Sequence, residues 1–166
     1  MNPFEAHGIT HLSASSINLF AAEPAMWVMQ KLAKKYTGVG PAAHRGTASE
    51  AGIVMGLLDP EAPIVACQQH ALNEFDRLVS IDLDGKAAKE RNAIMAIVEN
   101  GIKKLRVAGI PDEVQHKIEI TLPDIAVPFI GYIDVGWTKH GIRLDIKTKL
   151  RAISAIEEAH NRQVSL

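Results

Sequence analysis

One cysteine, Cys67, stands in a chain of 166 residues. That scarcity excludes an internal disulfide and any structural metal site built from several thiolates, and it suits a reducing cytoplasm. No apolar run approaches the ~20 residues that cross a bilayer, so no membrane partner is expected. The opening Met1-Asn2-Pro3-Phe4-Glu5 has no basic start followed by a hydrophobic stretch, unlike a secretory leader. There is little net charge either: 18 basic and 19 acidic residues leave −1. A polyanionic ligand is therefore not announced globally and would have to use a local basic surface. Repeats and low-complexity linkers are also missing. What remains, 47% apolar residues in a length suited to one domain, describes a soluble globular protein expected in the cytoplasm.

The first two thirds of the chain is helical in pattern. Ser13 is an expected N-cap for a short helix carrying Ile17, Leu19 and Phe20. Pro24 either ends that helix or opens a second one bearing Trp27, Val28 and Leu32. Thr47 to Leu58 reads as a helix stopped by Asp59-Pro60, and Gly52 and Gly56, one turn apart, imply close packing on another element. Residues 61 to 68 read as a short strand around Ile64-Val65-Ala66 or as a loop. Gln69 to Val79 has helical spacing, Asp82 to Gly85 is a turn, and Lys86 to Val107 is the longest helix, with Ile94, Ile97, Val98, Ile102 and Leu105 as its core stripe. Lys103, Lys104 and Arg106 read as its solvated face. From Val114 the period changes to two, with Ile118, Ile120 and Leu122 alternating with Lys117, Glu119 and Thr121. A polar helix is expected from Ser154 to Leu166. The order of helices, three antiparallel-type strands and a final helix predicts an α+β fold.

Two of those strands carry acids that folding does not require. In Ile130 to Trp137, Ile133, Val135 and Trp137 share one face, and Tyr132 and Asp134 the other. In Ile142 to Thr148, Ile142, Leu144 and Ile146 are expected to be buried, leaving Arg143, Asp145 and Lys147 on the opposite face. The link Thr138-Lys139-His140-Gly141 reads as a hairpin turn. A loop at Lys139-His140 sets Asp134 opposite Asp145; a loop at His140-Gly141 sets it opposite Lys147. Both registers gather two carboxylates and an ammonium on one patch. Like charges so close repel unless a proton or a cation separates them, and a hard divalent ion suits oxygen ligands. Arg143, Lys147, Lys149 and Arg151 lie beside this patch and are suitably placed for phosphates.

These residues resemble the motifs of the PD-(D/E)XK nuclease superfamily, in its RecB-like exonuclease branch: Gly131-Tyr132-Ile133-Asp134, then Leu144-Asp145-Ile146-Lys147-Thr148, then Gln163. Leu12 to Ile17 with Glu23-Pro24 and Trp27 is similar to the branch's N-terminal helical signature. Arg45-Gly46-Thr47-Ala48-Ser49-Glu50 is similar to its Gly-Thr segment. The resemblance implies a restriction-endonuclease-like core: a small mixed or antiparallel sheet flanked by helices, with a helical N-terminal region. It implies a Mg²⁺- or Mn²⁺-dependent deoxyribonuclease of recombination or repair, with DNA as substrate and a recombination protein or a second copy as partner. Asp134, Asp145, the Ile146 carbonyl and Glu50 would be the metal ligands. Lys147 would activate water or offset phosphate charge, and Gln163 would belong to the last helical motif. Tyr132, Arg143, Lys149 and Arg151 are the expected DNA contacts. Cluster-bearing members of the branch place cysteine before the proline of the N-terminal signature, where Glu23 stands here, so no iron–sulfur cluster is expected. The motif's tyrosine would follow Leu166, and the domain, residues 1 to 166, is therefore read as cut within that motif.

Bland alternatives exist for each residue. Asp145 and Lys147 could form a surface ion pair worth under ~1 kcal/mol, and Glu50 could simply suit a helix start. The seven histidines, His7, His11, His44, His70, His116, His140 and His160, give one close pair and no zinc site. Trp27 and Trp137 read as core rather than as base-stacking platforms.

Overall fold

A computed structural model describes residues 2–36, 38–79 and 85–149. The expected turn at Asp82 to Gly85 is described only at Gly85. The expected final helix, Arg151 and Gln163 lie outside the described residues. Among those described are six α-helices and a small three-stranded sheet, in the order helices then strands, so the fold is α+β. The chain forms two compact units. One contains the described residues before Val39 together with Gln115–Ile133, and the other contains Val39–Val114 with Asp134 onward to Lys149.

In the first unit, α1 (Pro3–Ala6) begins with a capping box between Asn2 and Glu5. The Ser13 side chain accepts the Ser16 N–H at 3.2 Å and so caps α2 (Ala14–Ala22), as its sequence predicts. Pro24 takes the first turn of α3 (Pro24–Lys31), the second of its two expected roles. Trp27 packs edge-on to Phe20, with ring centroids 5.3 Å apart, and donates its indole N–H to Ser16 Oγ at 2.9 Å. Leu12 pairs with Phe129 through a parallel bridge.

The second unit is built on three helices, α4 (Pro41–Leu58), α5 (Ile64–Leu78) and α6 (Ala87–Leu105). Ala48, Cys67, Ala71, Phe75, Ile94, Val98 and Ile102 fill the space between them. Helix α4 starts six residues before the expected Thr47, because Gly40 and Pro41 make a favourable N-terminus. It stops at Asp59 as predicted. The strand or loop expected around Ile64-Val65-Ala66 is instead the first turn of α5. The helical spacing continues back through Cys67 and Gln68, both buried, whereas Val65 is 68% exposed and offers nothing to a buried strand. Both glycines of α4 pack tightly: a Cβ at Gly52 would lie 2.7 Å from the Cys67 carbonyl oxygen, and one at Gly56 would lie 2.5 Å from Ile102 Cδ1. Arg106 does not belong to a solvated face. Its guanidinium donates to the carbonyl oxygens of Gly56, which the end of α4 leaves open, and of Ala62 in the loop that follows, both at 3.0 Å.

The strands are β1 (Glu113–Ile120), β2 (Phe129–Trp137) and β3 (Ile142–Leu144), in the order β1-β2-β3. The predicted alternation of Ile118 and Ile120 with exposed Lys117 and Glu119 is present in β1. Strands β2 and β3 are antiparallel, with Val135 opposite Leu144, Gly136 opposite Arg143 and Trp137 opposite Ile142. That is the register in which Asp134 faces Asp145. The turn is a 3-10 element over Thr138–His140 followed by Gly141 in the left-handed region (φ 64). Val135 and Trp137 pack against Ile53 and Leu57 of α4, forming a second small core.

Candidate functional site

Two expectations about the hairpin need correction. Strand pairing ends at Leu144 and does not run to Thr148, and Ile142 is 38% exposed while Leu144 and Ile146 are half-buried. Asp134 is not on an open polar face: it is only 8% exposed, whereas Tyr132, two residues earlier on the same strand, is 59% exposed. The reason is that both faces of the last part of β2 are covered. Val135 and Trp137 meet α4, and the Asp134 side is covered by the chain that follows β3.

That chain is held by side chains in place of a strand ladder. Asp134 Oδ2 accepts the Ile146 N–H at 2.6 Å. Lys147 Nζ donates to Asp145 Oδ1 at 2.5 Å. On the far side of Lys147, Arg45 Nη2 donates to the Thr148 carbonyl oxygen at 3.0 Å. Arg45 is buried on α4, and its charge is met by Glu90 of α6 through an ion pair with Nη1. Thr148 Oγ1 packs beside Gly46, where a Cβ would sit 3.7 Å away. Arg45 and Thr148 fall within the family-like segments and Glu90 outside them, and the resemblance gives none of the three a role. Nothing in their spacing shows that a helix arginine turns inward.

The electrostatics fit a carboxylate pair. Burial pushes the Asp134 carboxyl above the usual carboxylate range. The Ile146 N–H and Lys147 partly offset this, while the charge of Asp145 and a hydrogen bond with it push Asp134 further up. Asp134, Asp145 and Lys147 are thus brought together as the alternation predicts. Glu50 is half-buried on α4. Among the described residues, no group of three or more histidine, cysteine, aspartate or glutamate side chains is gathered to hold a metal ion, so Glu50 is not drawn into one cluster with the two aspartates.

The basic residues divide. Arg143 is engaged by Glu113 of β1, with Nε 3.0 Å and Nη2 3.3 Å from its carboxylate oxygens. It reaches across β2 because its opposite number is Gly136, where a Cβ would lie 2.6 Å from Glu113 Oε2. Lys149 is exposed. Trp137 is buried and donates its indole N–H to the Gly109 carbonyl at 2.8 Å, which makes it core as expected. A separate cleft is lined by Ala108, Gly109, Ile110, Asp112, Trp137, Lys139 and His140 and includes none of the predicted catalytic residues.

Compared with models of protein families, with curated proteins and with solved structures, the chain gives no significant match.

Proposed function

We propose that this chain is a metal-dependent DNA nuclease on a restriction-endonuclease-like core, an exonuclease of recombination or repair. The reading is carried by one observation: the Asp134 and Asp145 carboxyls meet at the end of the β2–β3 hairpin, with Lys147 bound to one of them. An all-oxygen donor pair with one member raised toward its neutral form suits a hard divalent ion. Asp134, Asp145 and the Ile146 carbonyl would hold Mg²⁺ or Mn²⁺, with Glu50 approaching from α4. Such an ion polarises a phosphodiester and makes its bound water more acidic. Lys147, released from Asp145, would orient the attacking water, accept its proton or offset charge on the phosphate. Tyr132, Arg143, Lys149 and Arg151 would contact the DNA, Arg143 after exchanging Glu113 for a phosphate, and Gln163 would act from the last helical motif. Labelled single- and double-stranded DNA incubated with Mg²⁺, and in parallel with EDTA, tests the reading. Cutting that EDTA abolishes supports it.

A second reading is a nucleic-acid-binding or assembly subunit that keeps the fold without catalysis. It is favoured by the absence of a third carboxylate beside Asp134 and Asp145 among the described residues. DNA retention without cutting would select it.

A further inference from the structure

Stability gives no good reason for Arg45 to be where it is. The residue is 6% exposed, on the inward face of α4. Bringing its charge out of water is offset by Glu90, but a buried ion pair is commonly no better than apolar side chains of similar volume. The arrangement also leaves polar atoms unpartnered. Among the described residues, Arg45 Nε, Ser49 Oγ one turn along α4, and Thr148 Oγ1 are all buried without a hydrogen-bond partner. Orphaned groups of this kind cost about 1–3 kcal/mol each. A structure that tolerates such costs at one place usually does so for function.

Among the described residues, Arg45 also holds the Thr148 carbonyl beside its ion pair. Residues 145 to 149 form no strand ladder with the other described residues, and two side chains hold the chain on either side of Lys147. Asp134 takes the N–H just before Lys147, and Arg45 takes the carbonyl just after it. A planar guanidinium can serve Glu90 and Thr148 at once because its donors diverge in a fixed fork. We infer that Arg45 is a positioning residue: it holds the chain beyond β3 against α4 so that Lys147 stands beside the Asp134–Asp145 pair. Glu90 fixes the guanidinium for this purpose. The inference rests on the nuclease reading for its catalytic consequence, but the holding of the segment is a property of the chain itself.

Arg45→Lys keeps a cation for Glu90 and removes the divergent donor to Thr148. The purified variant is assayed on DNA with Mg²⁺, and its amide hydrogen exchange is followed at Ile146, with Val98 in α6 as the internal reference. Faster exchange at Ile146 but not at Val98 is expected, with kcat lowered by about tenfold to a hundredfold and KM unchanged, as for a misplaced reacting group. If Arg45→Lys fails to fold, the double variant Arg45→Met/Glu90→Met, which leaves no unpaired charge, replaces it in the same measurements. A folded variant with wild-type exchange at Ile146 and wild-type kcat overturns the inference. If the wild type cuts no DNA with Mg²⁺ or Mn²⁺, the nuclease reading has failed. In that case exchange at Ile146 alone decides whether Arg45 holds the segment.

Discussion

Asp134 and Ile146 are joined by a 2.6 Å hydrogen bond from the main-chain N–H of one to the carboxylate of the other. The bond sits immediately beyond the last paired residues, Val135 and Leu144. A side chain thus takes over from the strand ladder where the two acids meet. Asp134 is therefore tied to Ile146 by a hydrogen bond and to Asp145 by repulsion, and the two effects can be separated by mutation.

Mn²⁺ or Mg²⁺ is expected to raise the melting temperature of the wild type. An ion bound only by the folded state adds about 2.7 kcal/mol at a hundredfold excess over Kd, worth several degrees in a domain of this size. Asp134→Asn keeps an oxygen for the Ile146 N–H but removes one of the two repelling charges. It should lose the metal response while melting no lower than the wild type in EDTA. Equal stabilisation of both proteins by metal would place the ion elsewhere.

The raised Asp134 pKa has a definite sign for stability. The folded protein holds that proton more tightly than the unfolded chain does. The associated stability is therefore full below the ordinary carboxylate value of 3.8 and is lost as pH rises through the raised value. In EDTA, the stability of Asp134→Asn relative to the wild type should increase across that window. Denaturant unfolding of both proteins at several pH values measures the difference; a difference that is flat or falls with pH would refute the assignment. Subtracting the two proteins matters because Asp112, whose carboxyl is held low by the Thr138 hydroxyl and then by its N–H, contributes in the opposite direction.

Lys147→Ala should abolish cleavage and leave folding and metal-dependent stabilisation in place. Its partner Asp145 is part-exposed and Lys147 more so, and such a pair is worth at most about 1 kcal/mol. A near wild-type cutting rate would remove Lys147 from the chemistry.

Gly52→Ala gives a test of the packing in which two effects oppose. Helix propensity alone would make the change stabilising by about 1 kcal/mol. A Cβ there would lie 2.7 Å from the Cys67 carbonyl oxygen and 2.8 Å from Ala71 Cβ, contacts that a backbone cannot easily relieve. Overpacking should win, with a net loss of about 1–2 kcal/mol in urea unfolding. A more stable variant would mean that α4 and α5 are not packed so closely.

Much of this was legible from periodicity, and the failures share a cause. The N-cap at Ser13, the close packing of Gly52 and Gly56, the stripe of α6, the alternation of β1 and the gathering of Asp134, Asp145 and Lys147 all follow from local spacing. Spacing was silent wherever a distant element decided the outcome. Val65 lies in an apolar triplet that suits a strand, but Cys67 and Phe75 pack against α4 and α6 and extend the helix through it. Asp134 alternates correctly yet is buried, because the chain after Leu144 folds over it. Arg45 looks like any charged helix residue, and only Glu90 and Thr148 reveal its direction.

The hydrogen bond from Arg45 to Thr148 joins positions 103 apart in sequence. Helices α4, α5 and α6, by contrast, are consecutive, and contacts between them such as Gly52 with Cys67 and Gly56 with Ile102 span fewer residues. Contacts of low sequence separation form early, whereas distant ones wait for the entropy of closing a long loop to be met. The helical scaffold is therefore expected to form first, and the acidic hairpin end to dock onto it afterwards. Arg45 and Glu90 are already synthesised before Asp134, Asp145 and Lys147 emerge, so a growing chain would carry the receiving half of the site before the acidic half exists.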